Sequence, residues 1–377
     1  MAKKKSVGNG SGTVYPRRNK AGKITSYLGA YVGPDGKRRY VSAKTKTEAQ
    51  TKLRKDMADA DQGLVFDAGT LTVAQYMDRW LPNIKGTVRQ RSWERYEQLV
   101  RVHIKPGIGA KKVKDLTRAH VKSFYSAKRE AVSARTVQYV HTTLHKALKD
   151  AVADGLVPRN VSDGLKPSTT RRHEIDPLTT EQARALLDAA KGDRLEALYV
   201  LAVHYGLRKG ELLGLKWADV DLTAGVMQVR RTMSDSREEG TIEEPTKSGK
   251  GRRVELSQTA VNALKSRRKA QMEEQLAAGS KWRDNGLIFA TAIGTPITGT
   301  NLTNRHFNPL LRRAGLPRRR FHDLRHTCAT IRFMKGQHPK RVQELLGHAS
   351  VAITLDIYSH LIPGLDGGDD PMEEALG

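Results

Sequence analysis

The segment His204-Tyr205-Gly206-Leu207-Arg208-Lys209-Gly210-Glu211-Leu212-Leu213-Gly214-Leu215-Lys216-Trp217 places an arginine just after a glycine break, where it leads a new helix. Two later strings are of the same kind. In Phe321-His322-Asp323-Leu324-Arg325-His326, His322 and Arg325 stand three apart and so share a helical face. Leu345-Leu346-Gly347-His348 is followed by Ser350, a fitting N-cap, and by a short helix holding Val351, Thr354, Leu355 and Tyr358. Between the first and second strings, Pro245-Thr246-Lys247-Ser248-Gly249-Lys250-Gly251-Arg252-Arg253 reads as a basic hairpin turn joining two strands.

Outward from these strings, the section 177–361 opens on a capping box, Thr179 with Gln182, ahead of a buried stripe of Ala183, Leu186, Leu187 and Ala190. Strand-like pieces at Val226–Arg231, Arg252–Leu256 and Leu287–Phe289 make it mainly α with a small antiparallel sheet. Residues 167–176 read as an exposed linker, continuing the polar run Ser168–Glu174. The section 71–166 is all helical, with helices expected at 72–84, 87–104, 117–130 and 134–154, the last carrying Val137, Val140, Leu144, Ala147, Leu148 and Ala151 on one face. Breaks are expected at Pro106-Gly107-Ile108-Gly109 and Gly155.

Residues 11–65 predict a three-stranded sheet plus one helix. The strands are Thr13–Arg18, Thr25–Val32 and Lys37–Val41, with Pro34-Asp35-Gly36 turning between the last two, and Thr47 with Gln50 capping the helix. Arg17, Arg18, Lys37, Arg38 and Arg39 make those strands basic, which suits a sheet laid in a DNA groove as well as an ordinary solvated hairpin. Residues 1–10 are a flexible basic start, and 362–377 form an acidic tail.

The chain has 377 residues, 66 Lys plus Arg against 40 Asp plus Glu, and a formal charge of +26. The surplus is spread as +9 over 1–70, +11 over 71–170 and +11 over 171–361, with −5 after 361. Positive charge on every folded section points to a polyanion contacted along the chain, nucleic acid first. One cysteine, Cys328, excludes an internal disulfide and a thiol-ligated zinc or iron–sulfur site. The start lacks an apolar h-region, and no uncharged apolar run approaches the roughly 18 residues of a bilayer span, so a soluble, unsecreted chain is expected.

Taken singly, each polar residue of the three strings has a plain structural role: Arg208 as a helix cap, His322 and His348 as satisfied interior histidines, Tyr358 as core. Together they suit one task. Two arginines fit the non-bridging oxygens of a phosphodiester, two histidines serve as donors or proton carriers, a lysine on a turn as acid and a tyrosine as nucleophile. Competing chemistries fit less well. His322 and His326 stand at the i, i+4 spacing of a zinc-protease pair, but Asp323 replaces the glutamate base. There is no G-x-x-x-x-G-K-[ST] phosphate loop and no dense acidic cluster for two magnesium ions.

The strings YGLRKGELLGLKWADVD, FHDLRHTCAT and LGHASVAITLDIYSH, in this order and spacing, resemble the three boxes of the tyrosine recombinases, specifically integrases of phages and integrative elements that carry an added N-terminal DNA-binding domain. The resemblance implies catalytic roles for Arg208, Lys247 (with Lys250 its competitor), His322, Arg325, His348 and the nucleophile Tyr358, with Glu211 supporting. It implies a 3′-phosphotyrosyl intermediate, a Holliday junction, and neither ATP, metal nor cofactor. By the same resemblance, 11–65 is an arm-type DNA-binding domain, 71–166 a SAM-like core-binding domain and 177–361 the catalytic domain. The implied partners are double-stranded DNA at core-type and arm-type sites, three further protomers in a homotetramer, and DNA-bending and directionality factors in the cytoplasm and nucleoid of a bacterial host. A type IB topoisomerase shares the chemistry, but the two-class DNA-binding layout argues against it. A non-catalytic DNA-binding regulator would not need the complete residue set.

Overall fold

The computed structural model describes residues 12–33, 38–61, 70–167, 176–246 and 251–358. The expected flexible start, the Pro34-Asp35-Gly36 turn with Lys37, the linker residues 168–175, the pair Lys247 and Lys250, and the acidic tail lie outside the described residues. The chain divides into two compact units, Met1–Arg171 and Arg172–Gly377.

In the first unit, β1 (Thr13–Arg18), β2 (Ile24–Val32) and β3 (Arg38–Ala43) form an antiparallel sheet in sequence order. The β1–β2 turn is set by Asn19, whose side-chain oxygen accepts the N–H groups of Ala21 (3.1 Å) and Lys23 (2.9 Å). Helix α1 (Lys46–Asp61) buries Ala49 and Leu53 against the sheet, and a Cβ at Gly29 would fall 2.7 Å from Val41 and 3.3 Å from Leu53, so glycine lets helix and sheet close up. The cap of α1 differs from the expected Thr47–Gln50 box. The Thr45 hydroxyl accepts the Glu48 N–H at 3.2 Å, which puts Thr47 and Gln50 inside the first turn.

The helical section comprises α2 (Val73–Ile84), α3 (Gln90–Leu99), α4 (Lys105–Ile108), α5 (Arg118–Ala131) and α6 (Ala134–Ala153). Capping boxes start α2 at Thr72 and α5 at Thr117, and the whole expected stripe of α6, Val137 to Ala151, is buried. Tyr76 donates to the Ala147 carbonyl at 2.7 Å and Trp80 to Asp150 at 2.8 Å, tying α2 to α6. Pro106 does not break the chain's helical course where expected. A π-turn over Val100–Ile104 runs straight into α4, so Pro106 lies inside a continuous helical course, just past the wider π ring. The helix stops only at Gly109.

The second unit has one main core, in which α8 (Glu196–Tyr205) is buried on nearly all sides and packs on α7 (Thr180–Ala189), α10 (Gln258–Ala278) and α13 (Asp323–Met334), while α12 (Asn308–Arg313), after the short α11 (Gly299–Asn301), packs on α7. The expected Thr179–Gln182 box is present. Strands β4 (Val220–Asp221), β5 (Val226–Val229) and β8 (Arg252–Glu255) make one antiparallel sheet in the order β4-β5-β8, and β6 (Arg231–Ser236) pairs with β7 (Gly240–Pro245) in another. Two expectations change here. Leu287–Phe289 is not a strand but a buried segment touching Lys216 by one bridge. The strands on either side of the basic loop are also not paired with each other as a hairpin would have them: Arg231 pairs with Pro245 and Val229 with Arg252, so β7 lies on β6 and β8 on β5, while 247–250 lie outside the described residues. The true turn is between β6 and β7, where Ser236 Oγ accepts the N–H groups of Glu238 and Glu239. Among the described residues no helix is long and apolar enough to cross a membrane.

Candidate active site

Helix α8 ends at Gly206, whose left-handed backbone (φ 60°) turns the chain into α9 (Lys209–Leu213). Any Cβ at Gly206 would fall 2.6 Å from Leu346 and 3.4 Å from Arg325, so the position requires glycine for both conformation and space. Arg208 is the N-cap of α9. Its backbone N–H donates to Glu211 Oε2 at 3.0 Å and its guanidinium to Glu211 Oε1 at 2.8 Å, so one carboxylate holds both the backbone and the side chain.

Arg325, on the first turns of α13, is 3% exposed and donates to the carbonyls of Gly206 (2.9 Å) and Leu346 (2.7 Å). Arg208 also reaches the Gly347 carbonyl at 3.4 Å. These bonds draw the three distant strings to one locus: the turn after α8, the start of α13, and the end of α14 (Pro339–Leu346), which closes on Gly347 in the left-handed region (φ 65°). His322 caps α13, and His348 lies just past Gly347, its Nδ1 2.8 Å from Thr354 Oγ1 on α15 (Val351–Tyr358). Tyr358 is 2% exposed, in a small cluster with Ala329, Phe333, Val342 and Leu346, and its hydroxyl meets His326 Nδ1 at 2.5 Å.

Glu211 is the electrostatic centre. Its carboxylate, 2% exposed, also receives Arg252 at 2.7 Å and 3.2 Å, and Arg252 donates onward to the Leu345 carbonyl at 2.8 Å. Burial alone would raise its pKa, but the Arg252 hydrogen bonds and the charges of Arg252 and Arg208 hold it down to about 2. Burial, together with Arg208 and Arg252, lowers the Arg325 pKa to about 9 against the pull of Glu211, and the group stays cationic at neutral pH. Three guanidiniums around one carboxylate leave a net positive site, which suits a phosphate.

The histidines respond to that field. Burial first, then the neighbouring cations, push His322 and His348 down to about 4, so both are neutral at pH 7. An unfolded histidine titrates near about 6.5. Between those values the unfolded chain binds more protons, so stability rises with pH across the window. Thermal melting is therefore expected to drop as the pH falls from about 7 to about 4.5, and to drop less steeply in a His322→Gln/His348→Gln chain. Equal slopes in the two proteins would refute this.

Of the sequence-predicted residues, the structure brings Arg208, Glu211, Arg325, His322, His348 and Tyr358 into one region, and Lys247 lies outside the described residues. Two participants went unpredicted. Arg252 stood within the basic string, but its role depends on the β5–β8 register. His326 had a visible i, i+4 spacing from His322, weighed only as a zinc pair; the two rings meet edge-to-face at 5.2 Å. In the first unit the four described basic sheet residues do not share a face, and Lys37 lies outside the described residues. By strand alternation Arg17 and Arg38 lie with Tyr15 and Tyr40 on the face away from Val14 and Val41, Arg39 lies on the Val41 face, and Arg18, past a bulge, bonds the Gly22 carbonyl at 2.8 Å.

Residues 177–363 match the phage integrase family, and residues 72–128 match the phage integrase N-terminal SAM-like domain. A tyrosine recombinase XerC-like protein of Caldanaerobacter subterraneus subsp. tengcongensis is 33% identical over 341 residues, covering 85% of this chain and 87% of that protein. The Tn1549 transposon integrase, solved in complex with transposon right end DNA, superposes with a TM-score of 0.66 at 20% identity, covering 81% of this chain and 98% of that one. The lambda integrase tetramer bound to a Holliday junction gives 0.55 at 20% identity, covering 95% and 96%. These structural likenesses carry the fold, and the sequence match carries the kinship: the chain belongs to the phage integrase family of tyrosine recombinases.

Proposed function

We propose that the chain is a site-specific integrase that cuts and rejoins DNA through Tyr358. Tyr358 attacks a scissile phosphate, its oxygen forming a bond to phosphorus as the bond to the 5′-oxygen breaks, which leaves a 3′-phosphotyrosyl link and a free 5′-hydroxyl. Arg208 and Arg325 hold the non-bridging oxygens and the charge that builds on them, while the neutral His322 and His348 donate hydrogen bonds. Lys247 protonates the leaving 5′-oxygen. The covalent link conserves the phosphodiester energy, so a partner strand religates without ATP.

The observation that carries this reading is the lacing of the three strings: Arg325 bonds a carbonyl in each of the other two, Gly206 and Leu346, and Arg208 bonds the Gly347 carbonyl of the third. In the same reading, 11–65 holds arm-type sites, 71–166 and 177–361 hold the crossover site, and four protomers exchange strands through a Holliday junction, as the tetrameric lambda integrase complex suggests. DNA-bending and directionality factors, and a place on the nucleoid, complete the proposal.

The test is covalent capture. Duplexes tiling the DNA on either side of the gene, nicked at successive positions, are incubated with the full chain without metal or ATP, denatured, and the trapped peptide is sequenced by mass spectrometry. The expected adduct is a 3′-phosphate on Tyr358. No adduct on any tile, or one on another residue, removes the mechanism.

A further inference from the structure

We propose that His326 is the general base that takes the proton from the Tyr358 hydroxyl, a catalytic role outside the predicted set that rests on the reading of Tyr358 as nucleophile. The geometry is direct. His326 Nδ1 stands 2.5 Å from the phenol oxygen, within the reach a proton acceptor needs, and their ring centroids are 5.8 Å apart. The other two site histidines are differently engaged: His348 Nδ1 faces Thr354 Oγ1, and His322 meets the His326 ring edge-to-face.

The chemistry requires such a group. Tyr358 is buried against Phe333, Val342 and Leu346, and burial pushes its pKa above the ordinary phenol value despite Arg325. A neutral phenol is a weak nucleophile, so a base must act as the P–O bond forms. Burial, with Arg320 and Arg325 near, keeps His326 deprotonated, and the Nδ1 acceptor requires its proton on Nε2. The imidazolium formed during attack is favoured by the Asp323 carboxylate, 5% exposed and held by Arg320. His326 follows Arg325 directly and lies one turn from His322, so one helix, α13, carries base, phosphate clamp and donor together.

The step balances. The tyrosine O–H bond breaks, its proton moves to His326 Nδ1, the oxygen bonds phosphorus, and the 5′-oxygen leaves with a proton from a separate acid. In religation the 5′-hydroxyl attacks as its proton passes to the conjugate base of that separate acid, the P–O(Tyr) bond breaks, and His326 returns its proton to the phenolate. No oxidant or cofactor enters.

The experiment uses the full chain on the nicked duplex that gives the most adduct with the native protein. His326→Asn, which keeps an acceptor oxygen near the Nδ1 position, is expected to slow adduct formation about 10²- to 10⁴-fold. Replacing Tyr358 by 3,5-difluorotyrosine, whose phenol ionises more readily, is expected to restore most of that loss in the His326→Asn chain while changing the native rate only a few-fold. A His326→Asn chain as fast as the native protein, or faster, would overturn the proposal, since His326 would then only store the hydroxyl. So would a loss that fluorination does not restore, which marks a scaffold role. Circular dichroism and gel-shift binding check the fold, and His326→Gln repeats both arms if the Asn chain does not fold. A native chain that forms no adduct sinks the Tyr358 reading itself, whereas a native adduct with a fast His326→Asn sinks only the base.

Discussion

A Tyr358→Phe chain is expected to retain DNA binding and fold while forming no covalent adduct, a loss on the order of 10⁶-fold in strand cleavage if other nucleophiles behave as a guide. The fold should survive because the ring, not the oxygen, fills the cluster of Ala329, Phe333, Val342 and Leu346, and phenylalanine keeps that ring. The missing oxygen leaves His326 Nδ1 without its partner, at a cost of about 1 kcal/mol. Gel-shift titration and denaturing gels on the same nicked duplex separate the two effects. An adduct formed by Tyr358→Phe would mean that another side chain attacks, and the proposed roles of Arg208 and Arg325 as phosphate clamps would then fall with that of Tyr358.

What could be read from the sequence follows from how local each signal is. The α6 stripe, the box at Thr179 and the short helix that carries Tyr358 are short-range patterns, and the chain's periodicity writes them directly. Arg208, Glu211, His322 and Arg325 were legible because each lies in a contiguous string whose spacing fixes its face. The β6–β7 hairpin was not, since Arg231–Ser236 and Gly240–Pro245 are polar on both faces and lack the alternation that marks a half-buried strand. The helix running through Pro106 was not legible because the π-turn just ahead of it, which lets the helical course continue, leaves no mark in the sequence pattern. Arg252 and His326 became participants only through tertiary pairing, with Glu211 41 residues away and with Tyr358 32 residues away. No window of sequence contains both partners of either pair.

Glu211→Ala should be among the most damaging single changes that touch neither nucleophile nor phosphate. Its carboxylate is almost fully buried and is shared by Arg208 and Arg252, with Arg325 in the same field. Removing one member of a buried ionic set leaves the others uncompensated and costs about 3–5 kcal/mol, less the part that water screens at the 32%-exposed Arg208. Without its capping partner Arg208 also loses its fixed direction, and a displacement of about 1 Å at a phosphate clamp costs about 10²-fold in rate. Urea unfolding and adduct kinetics measure the two losses. The double variant Glu211→Ala/Arg252→Met supplies the sharper test. Taking out a buried charge together with its partner removes the uncompensated cation, so the double variant is expected to be more stable than Glu211→Ala alone while cleaving no faster. Were the two substitutions simply to add in stability, Glu211 would be neutralising Arg208 and Arg325 rather than anchoring Arg252, and the strand β8 beyond the lysine loop would not be held to the site by charge.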